Sequence, residues 1–298
     1  MRISDSMLQS NFLSNLNNSK EKMQKLQTEV ASNNKVNNPS DSPSGAAKIM
    51  RFKANVSQTK DFIKIVDNSK SFIQESIRGM EYIFDETTKV LVNLAEIQNP
   101  RNDSNLNSFA DQIDASLNII LESANTEFNG QNIFGGTDDS KSPYGFTADK
   151  SAIELKVSDV SGNRKVKISK NITQKINVTG SDLFGNVDGT DIFNKFIEIR
   201  DNLKNGIKPT DDDVKAIKDF STLVRNHLSE AGNVSNKLEA SSEILSNQVL
   251  TLEGLISKES EVDLAAAMID LQNYDYSLQL SYKMSSMFLA KSILDYIW

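Results

Sequence analysis

Two apolar ladders, each stepping alternately by three and four residues, constrain this 298-residue chain more than any other feature. The first runs Ile49, Phe52, Val56, Thr59, Ile63, Val66, Lys70, Ile73, Ile77, Met80, Phe84, Thr87, Leu91, Leu94. The second runs Val224, Leu228, Ala231, Ser235, Leu238, Ser242, Leu245, Val249, Leu252, Ile256. Such spacing keeps one stripe of a helix turned toward a partner helix over many turns. The two ladders are expected to pair within the chain, making an antiparallel helical rod; an ordinary helical-bundle core is the plainer alternative.

Punctuation sets the boundaries. A weaker ladder, Phe12, Leu16, Ser19, Met23, Leu26, Val30, meets a dense run of turn formers from Asn33 to Pro43. Ser42-Pro43 reads as the cap and first residue of the next helix, because Pro lacks only a donor that would be orphaned there. That helix is expected to reach Gln98, before Asn99-Pro100, about 80 Å at ~1.5 Å per residue. A third helix carries Leu106, Phe109, Ile113, Leu117, Ile120 and Ala124 on one face, with Asn129-Gly130 as its C-cap signal. The period then switches to alternation at Ile153, Leu155, Val157, at Val166, Ile168 and at Ile176, Val178, with Gly162-Asn163 as a tight connection between the first two strands. Helix returns over Asp191–Leu203 and ends at Asn205-Gly206. Thr210 with Asp213 opens the second long helix as a capping box. After a polar break at Ser257–Asp263 the pattern resumes at Leu264, Met268, Leu271, Asp275, Leu278, Tyr282, Ser285, Leu289.

The expected class is mainly α: a coiled-coil or bundle rod with a small inserted β-rich domain. The divisions are 1–42, an N-terminal assembly and export segment; 43–132 and 191–260, the two halves of the rod; 133–190, the β-rich insert; and 261–298, a C-terminal assembly helix. The outer ladders have too few neighbours in their own chain, so both ends are expected to be disordered in the monomer and to fold when partners cover them. The expected assembly interface is Ile3, Met7, Phe12, Leu16, Met23 and Leu26 with Leu264, Met268, Leu271, Leu278, Tyr282, Leu289, Ile293, Leu294 and Tyr296. The inner ladders, Ile49–Leu91 and Val224–Ile256, form the intrachain seam.

Little points to chemistry. There is no cysteine, which removes disulfides and thiolate sites, and His227 is the single histidine. The three carboxylates of Asp211-Asp212-Asp213 project in different directions from a helix, so capping accounts for them better than a metal. The stretch from Asp182 to Asp191 lacks the alternating acids of a calcium loop, and Gly135-Gly136 lacks the lysine of a phosphate loop. No catalytic, cofactor or metal residue is assigned. A formal charge of −7 argues against a nucleic-acid surface. No window approaches a membrane span and Met1–Lys20 is not a conventional signal peptide, so a chain without membrane insertion is expected.

Six short passages carry a family resemblance. Met1-Arg2-Ile3-Ser4 with Val36-Asn37-Asn38-Pro39-Ser40-Asp41-Ser42-Pro43 resembles the opening of the bacterial flagellar hook-associated protein 3 family, which has V-N-x-P-S-D-D-P; Ser42 replaces the second Asp. Asn129 to Gly136 resembles that family's N-G-x-Y-I-F-G-G turn, with Asn132 in place of the aromatic. Glu261-Val262-Asp263-Leu264-Ala265, Leu271-Gln272 and Ser292–Ile297 resemble its C-terminal passages. At His227–Asn233 the chain lacks the Arg that commonly precedes Gly. The resemblance implies a structural protein of the hook–filament junction, exported by the flagellar type III apparatus without a cleaved signal. It also implies contact with another hook-associated protein on the hook side and flagellin on the filament side, with itself in a ring, and with an export chaperone through the last helix. A flagellin filament subunit is the nearest alternative and a secreted coiled-coil adhesin or effector the next; an enzyme is not expected.

Overall fold

A computed structural model describes residues 5–138, 141–148, 151–185 and 191–294, with the side chains at 5, 6, 8, 9 and from 287 onward left aside. Its helices are α1 (Asp5–Ser32), α2 (Pro43–Ile97), α3 (Leu106–Ala124), α4 (Gly180–Phe184), α5 (Asp191–Lys204), α6 (Asp211–Ser260) and α7 (Leu264–Leu294). Its strands are β1 (Glu127–Phe128), β2 (Gln131–Asn132), β3 (Tyr144–Phe146), β4 (Ile153–Leu155), β5 (Lys165–Ser169) and β6 (Ile172–Lys175). The protein is mainly α. It divides into two compact units, one formed by Met1–Gln58 with Gln248–Trp298 and the other by Thr59–Asn247.

Local signals explain most helix ends. The Ser42 hydroxyl accepts the Gly45 N–H at 3.2 Å, capping α2. Beyond Ile97 the Asn99 side chain accepts from Arg101 N–H and starts a 3-10 turn, Pro100–Asn105. After α5, Gly206 sits at φ 78°, and the N–H groups of Ile207 and Gly206 bond back to Asn202 and Leu203 at 2.9 and 3.0 Å. That is the left-handed closure only glycine adopts without strain. Thr210 and Asp213 make the reciprocal box that opens α6, at 2.8 and 3.2 Å.

In the Thr59–Asn247 unit, α2 and α6 run antiparallel. Ser242 Oγ donates to Asp67 Oδ1 at 3.2 Å and Lys70 pairs with Glu239 at 2.9 Å, so residue numbers rise along one helix as they fall along the other. Val66 packs there with Leu238, Leu245 and Ile168 of β5. Farther along, α2 buries a second stripe containing Phe72, Ile83, Val90 and Ile97. The buried Ser116 hydroxyl of α3 donates to Glu86 of α2 at 2.9 Å, fixing the face that meets α3.

The strands differ from the sequence expectation. They form three separate antiparallel pairs, β1–β2, β3–β4 and β5–β6, and the connections are not the expected ones. β4 pairs with β3, and β5 turns back to β6 through Lys170-Asn171; Gly162-Asn163 is not a hairpin turn. Runs of three to five residues satisfy the alternation rule without saying which run is the partner. Asn129-Gly130 is likewise not the cap of α3, which ends at Ala124. It is the β1–β2 turn, both residues at positive φ (53° and 75°), as Asn-Gly hairpins require. Nor is 133–190 a body with its own core: Phe134, Tyr144, Ile153 and Phe184 are buried in one cluster with Phe193, Phe196 and Phe220 of the helices. Phe184 stacks on Phe193 at 4.7 Å, and Tyr144 meets both rings at 5.1 Å.

Candidate assembly surface

The unit that contains the chain ends is built where the ladders break. Asn33, at φ 55°, closes α1, with the Asn34 N–H returning to Glu29 at 3.2 Å. Asp41 folds the Asn-Pro-Ser-Asp turn by accepting the N–H groups of Asn38 and Asn37 at 2.8 and 3.1 Å, and it meets Lys25 of α1 at 3.4 Å. The Asn38 N–H, then the Asn37 N–H and Lys25, hold its carboxyl below the usual range against opposing desolvation. This turn is joined to the second break: Lys35 N–H donates to Ser260 at 2.7 Å, and Asn34 bridges Glu261. Asp263 then caps α7 through the N–H groups of Ala265 and Ala266 at 3.0 and 3.1 Å.

The joined breaks bring α1 back along α7. The helices pack antiparallel, with Lys22 of α1 over the Tyr274 ring of α7, farther from the joint than Asn34 and Glu261. Of the segments 1–42 and 261–298, expected to lack a partner in the monomer, α1 and the described part of the last helix, α7, pack on each other.

Phe12, Leu16, Met23 and Leu26 are half-buried in this pair, while Met7 is exposed. On α7 the buried stripe is Ala267, Leu271, Tyr274, Leu278, Ser281 and Ser285, of which Ala267 and Leu278 are 4% and 5% exposed. Only Leu271 and Leu278 of the α7 residues expected at the interface lie on it. Leu264, Met268 and Tyr282 stand 45%, 49% and 56% exposed on its flank, and Ile269, Tyr276, Leu280 and Met284 are exposed elsewhere on α7. Ile3 and Tyr296 lie outside the described residues, as do the side chains of Leu289, Ile293 and Leu294. The sequence ladder on α7 is thus one flank of a helix that carries apolar residues around its circumference. A helix of that kind is covered on more than one side when it is stable, and α1 covers one.

The inner seam residues lie as follows. Ile49, Val56, Val66, Ile73, Val224, Leu238, Leu245 and Val249 are buried, and Phe52, Ile63, Ile77, Phe84, Leu91, Leu228, Leu252 and Ile256 are half-buried.

Other features carry less chemistry. A cavity of about 520 Å³ is lined by Ile73, Lys175, Asp182 and His227, among others, and His227 Nδ1 stands 3.0 Å from Glu230. No serine, threonine or cysteine accompanies that pair in the lining. Among the described residues no group of three or more His, Asp or Glu side chains could hold a metal ion. No described helix is long and apolar enough to cross a membrane. In the Thr59–Asn247 unit, the buried Asp213 also pairs with Lys195 at 2.6 Å. Desolvation pushes its carboxyl up, but the bonds from Lys195 and Thr210 outweigh that and leave it below the usual range.

Comparison with known proteins places this geometry. Residues 3–139 match the bacterial flagellin N-terminal helical region. A structure assigned as a flagellar hook-associated protein from Vibrio parahaemolyticus superposes with a TM-score of 0.65 at 16% identity, covering 74% of this chain and 100% of that one. The fold is that of FlgL-type flagellar hook-associated proteins. Flagellar hook-associated protein 3 from Legionella pneumophila matches with a TM-score of 0.60 at 12% identity, over 70% and 98% of the two chains. FlgL from Bacillus cereus matches at 0.56 and 21% identity, over 71% and 100%. None of the curated protein sequences matches the chain. Both kinds of likeness, the flagellin N-terminal region and the hook-associated fold, agree with the passages at Val36–Pro43 and Asn129–Gly136.

Proposed function

We propose that this protein is a structural subunit of the bacterial flagellum, seated at the junction between the hook-associated zone and the flagellin filament. The observation that carries the reading is α7, apolar around its circumference and covered by α1 on one side. A helix pair that buries half its apolar surface is a poor independent fold and a good building block. Neighbouring subunits supply the rest of the core: a second hook-associated protein on the hook side, flagellin on the filament side, and further copies around a ring. Head-to-tail contacts of this kind generate closed rings or helical tubes. We further propose export through the flagellar type III apparatus, with the last helix shielded by a chaperone before assembly, and no catalytic, cofactor or metal role.

The match of residues 3–139 to the bacterial flagellin N-terminal helical region supports a second reading, a filament subunit. Position separates them. Antibody-labelled protein confined to the base of the filament, with unassembled flagellin released into the medium when the gene is deleted, is the expected result. Label along the whole filament would overturn the junction in favour of the filament subunit.

A further inference from the structure

The β5–β6 hairpin carries an unusual charge. Residues 164–175 hold Arg164, Lys165, Lys167, Lys170 and Lys175 and no acid, in a chain whose formal charge is −7. The register sets Lys165 directly opposite Lys175. Val166 and Ile168 on the alternate positions turn inward to Val66 and Leu238, so Lys165, Lys167 and Lys175 share the outward face. Like charges directly across a strand pair destabilise it. Lys175 reaches Asp182 at 3.3 Å; among the described residues no carboxylate pairs with Lys165, Lys167 or Lys170. Ile172, beside the turn, is half exposed.

A complementary surface exists on the same unit. Tyr82 follows Val66 by about four and a half turns of α2, which sets it away from the α6 seam. Tyr82 is 62% exposed and Ile119 of α3 41% exposed. The Ser116–Glu86 bond sets α3 beside α2, and about one turn from it Tyr82 and Ile119 stand as exposed apolar residues of the two helices. Exposed Asp85 on α2 and Glu122 on α3 follow them in sequence. The nearby cations are taken up on their own helix, Arg78 by Glu75 and Lys89 by Glu86.

We propose that the cationic β5–β6 hairpin of one copy docks on the exposed Tyr82 and Ile119 of a second copy, its lysines meeting Asp85 and Glu122. The two patches are different surfaces of one chain, so the contact is head-to-tail and leaves each copy able to take another. Charge complementarity selects a second copy as the occupant and makes the contact sensitive to salt. The inference rests on the reading that copies of this chain assemble.

The absence of cysteine makes the test direct. Ile172→Cys and Tyr82→Cys are made as separate full-length variants, mixed at high concentration and oxidised mildly. The expected product is the mixed disulfide dimer, in excess of both like dimers and above the statistical share, falling at least about threefold when salt rises well beyond physiological strength. Lys165→Glu with Lys167→Glu in the Ile172→Cys chain removes the excess, and Asp85→Lys with Glu122→Lys in the Tyr82→Cys chain restores it. Circular dichroism confirms that each variant is folded. A statistical mixture, or an excess indifferent to charge reversal, overturns the proposal. Binding of the hairpin to an anionic polymer such as heparin without the mixed dimer also overturns it. Failure here with the label still confined to the filament base would leave the junction reading standing; the mixed dimer with the label elsewhere would overturn the junction alone.

Discussion

Phe193→Ala is the sharpest test of how the Thr59–Asn247 unit is built. Phe193 has no exposed surface, stacks on Phe184 of α4 and stands 5.1 Å from Tyr144 of β3. It thus ties the strand region to the helices. Burial of roughly 150–200 Å² of phenyl surface at about 25 cal/mol per Å² contributes about 4–5 kcal/mol. Measured losses for buried Phe→Ala changes, about 3–5 kcal/mol including the cavity, agree. For a unit of this size each kcal/mol lowers Tm by about 2–4 °C, so the expected fall is about 6–20 °C. Thermal unfolding followed by far-UV and near-UV circular dichroism reads both helix and aromatic packing. The two signals of this unit's transition are expected to move together, because strands and helices share one core. A shift below about 3 °C, or loss of the aromatic signal while the helical signal keeps its midpoint, would refute the shared core and restore a separate β domain.

Three further outcomes follow from named contacts. Asp213→Asn removes the α6 capping box and the Lys195 pair, costing about 1–2 kcal/mol at neutral pH. Because the folded carboxyl lies below its unfolded value of about 3.9, this stabilisation is present above that pH and is lost as pH falls through the lower folded value. Denaturation midpoints of wild type and variant should therefore converge below about pH 4; a gap that persists there would contradict the assignment. Leu278→Ala, at the most buried large side chain among the described residues of α7, should cost about 2 kcal/mol, the low end for leucine because its surroundings are partly open. It should speed hydrogen exchange in α1 and α7 and leave the Thr59–Asn247 unit unchanged, whereas no faster exchange in either helix, or loosening in both units, would count against the pairing. Met268→Asp with Tyr282→Asp, on the exposed flank, should change the free chain's stability by less than about 0.5 kcal/mol and stop incorporation into flagella; normal incorporation would remove that flank from the interface.

Periodicity made the helices legible because long stripes average over many residues. Ser42-Pro43, Gly206 and the Thr210–Asp213 box fixed their ends, since caps are local chemistry. A second stripe on α2 through Ile83, Val90 and Ile97 was readable at seven-residue spacing and marks where α3 packs. Strand partners were not readable: Lys170-Asn171 is an unremarkable dipeptide, while Asn129-Gly130 fits both a helix cap and a hairpin turn. The α7 phase was missed for a physical reason. Leucine, methionine and tyrosine surround that helix, so the larger Leu264, Met268 and Tyr282 drew part of the ladder onto one flank, away from the small Ala267 and Ser281 of the buried stripe. The joining of the two breaks, Lys35 to Ser260 and Asn34 to Glu261, depends on backbone groups far apart in sequence and left no pattern in side-chain types.

Hydrogen exchange compared between the free chain and the chain assembled in flagella tests the half-covered pair most directly. In the free chain the amides of α1 and α7 should exchange much faster than those of Ile113, Leu117 and Ile120 in α3 and Phe193, Phe196 and Ile199 in α5, whose side chains lie in a closed core. On assembly, α1 and α7 should become as protected as that core. Protection of α7 already equal to the core in the free chain, or no gain on assembly, would contradict a surface completed by neighbouring subunits.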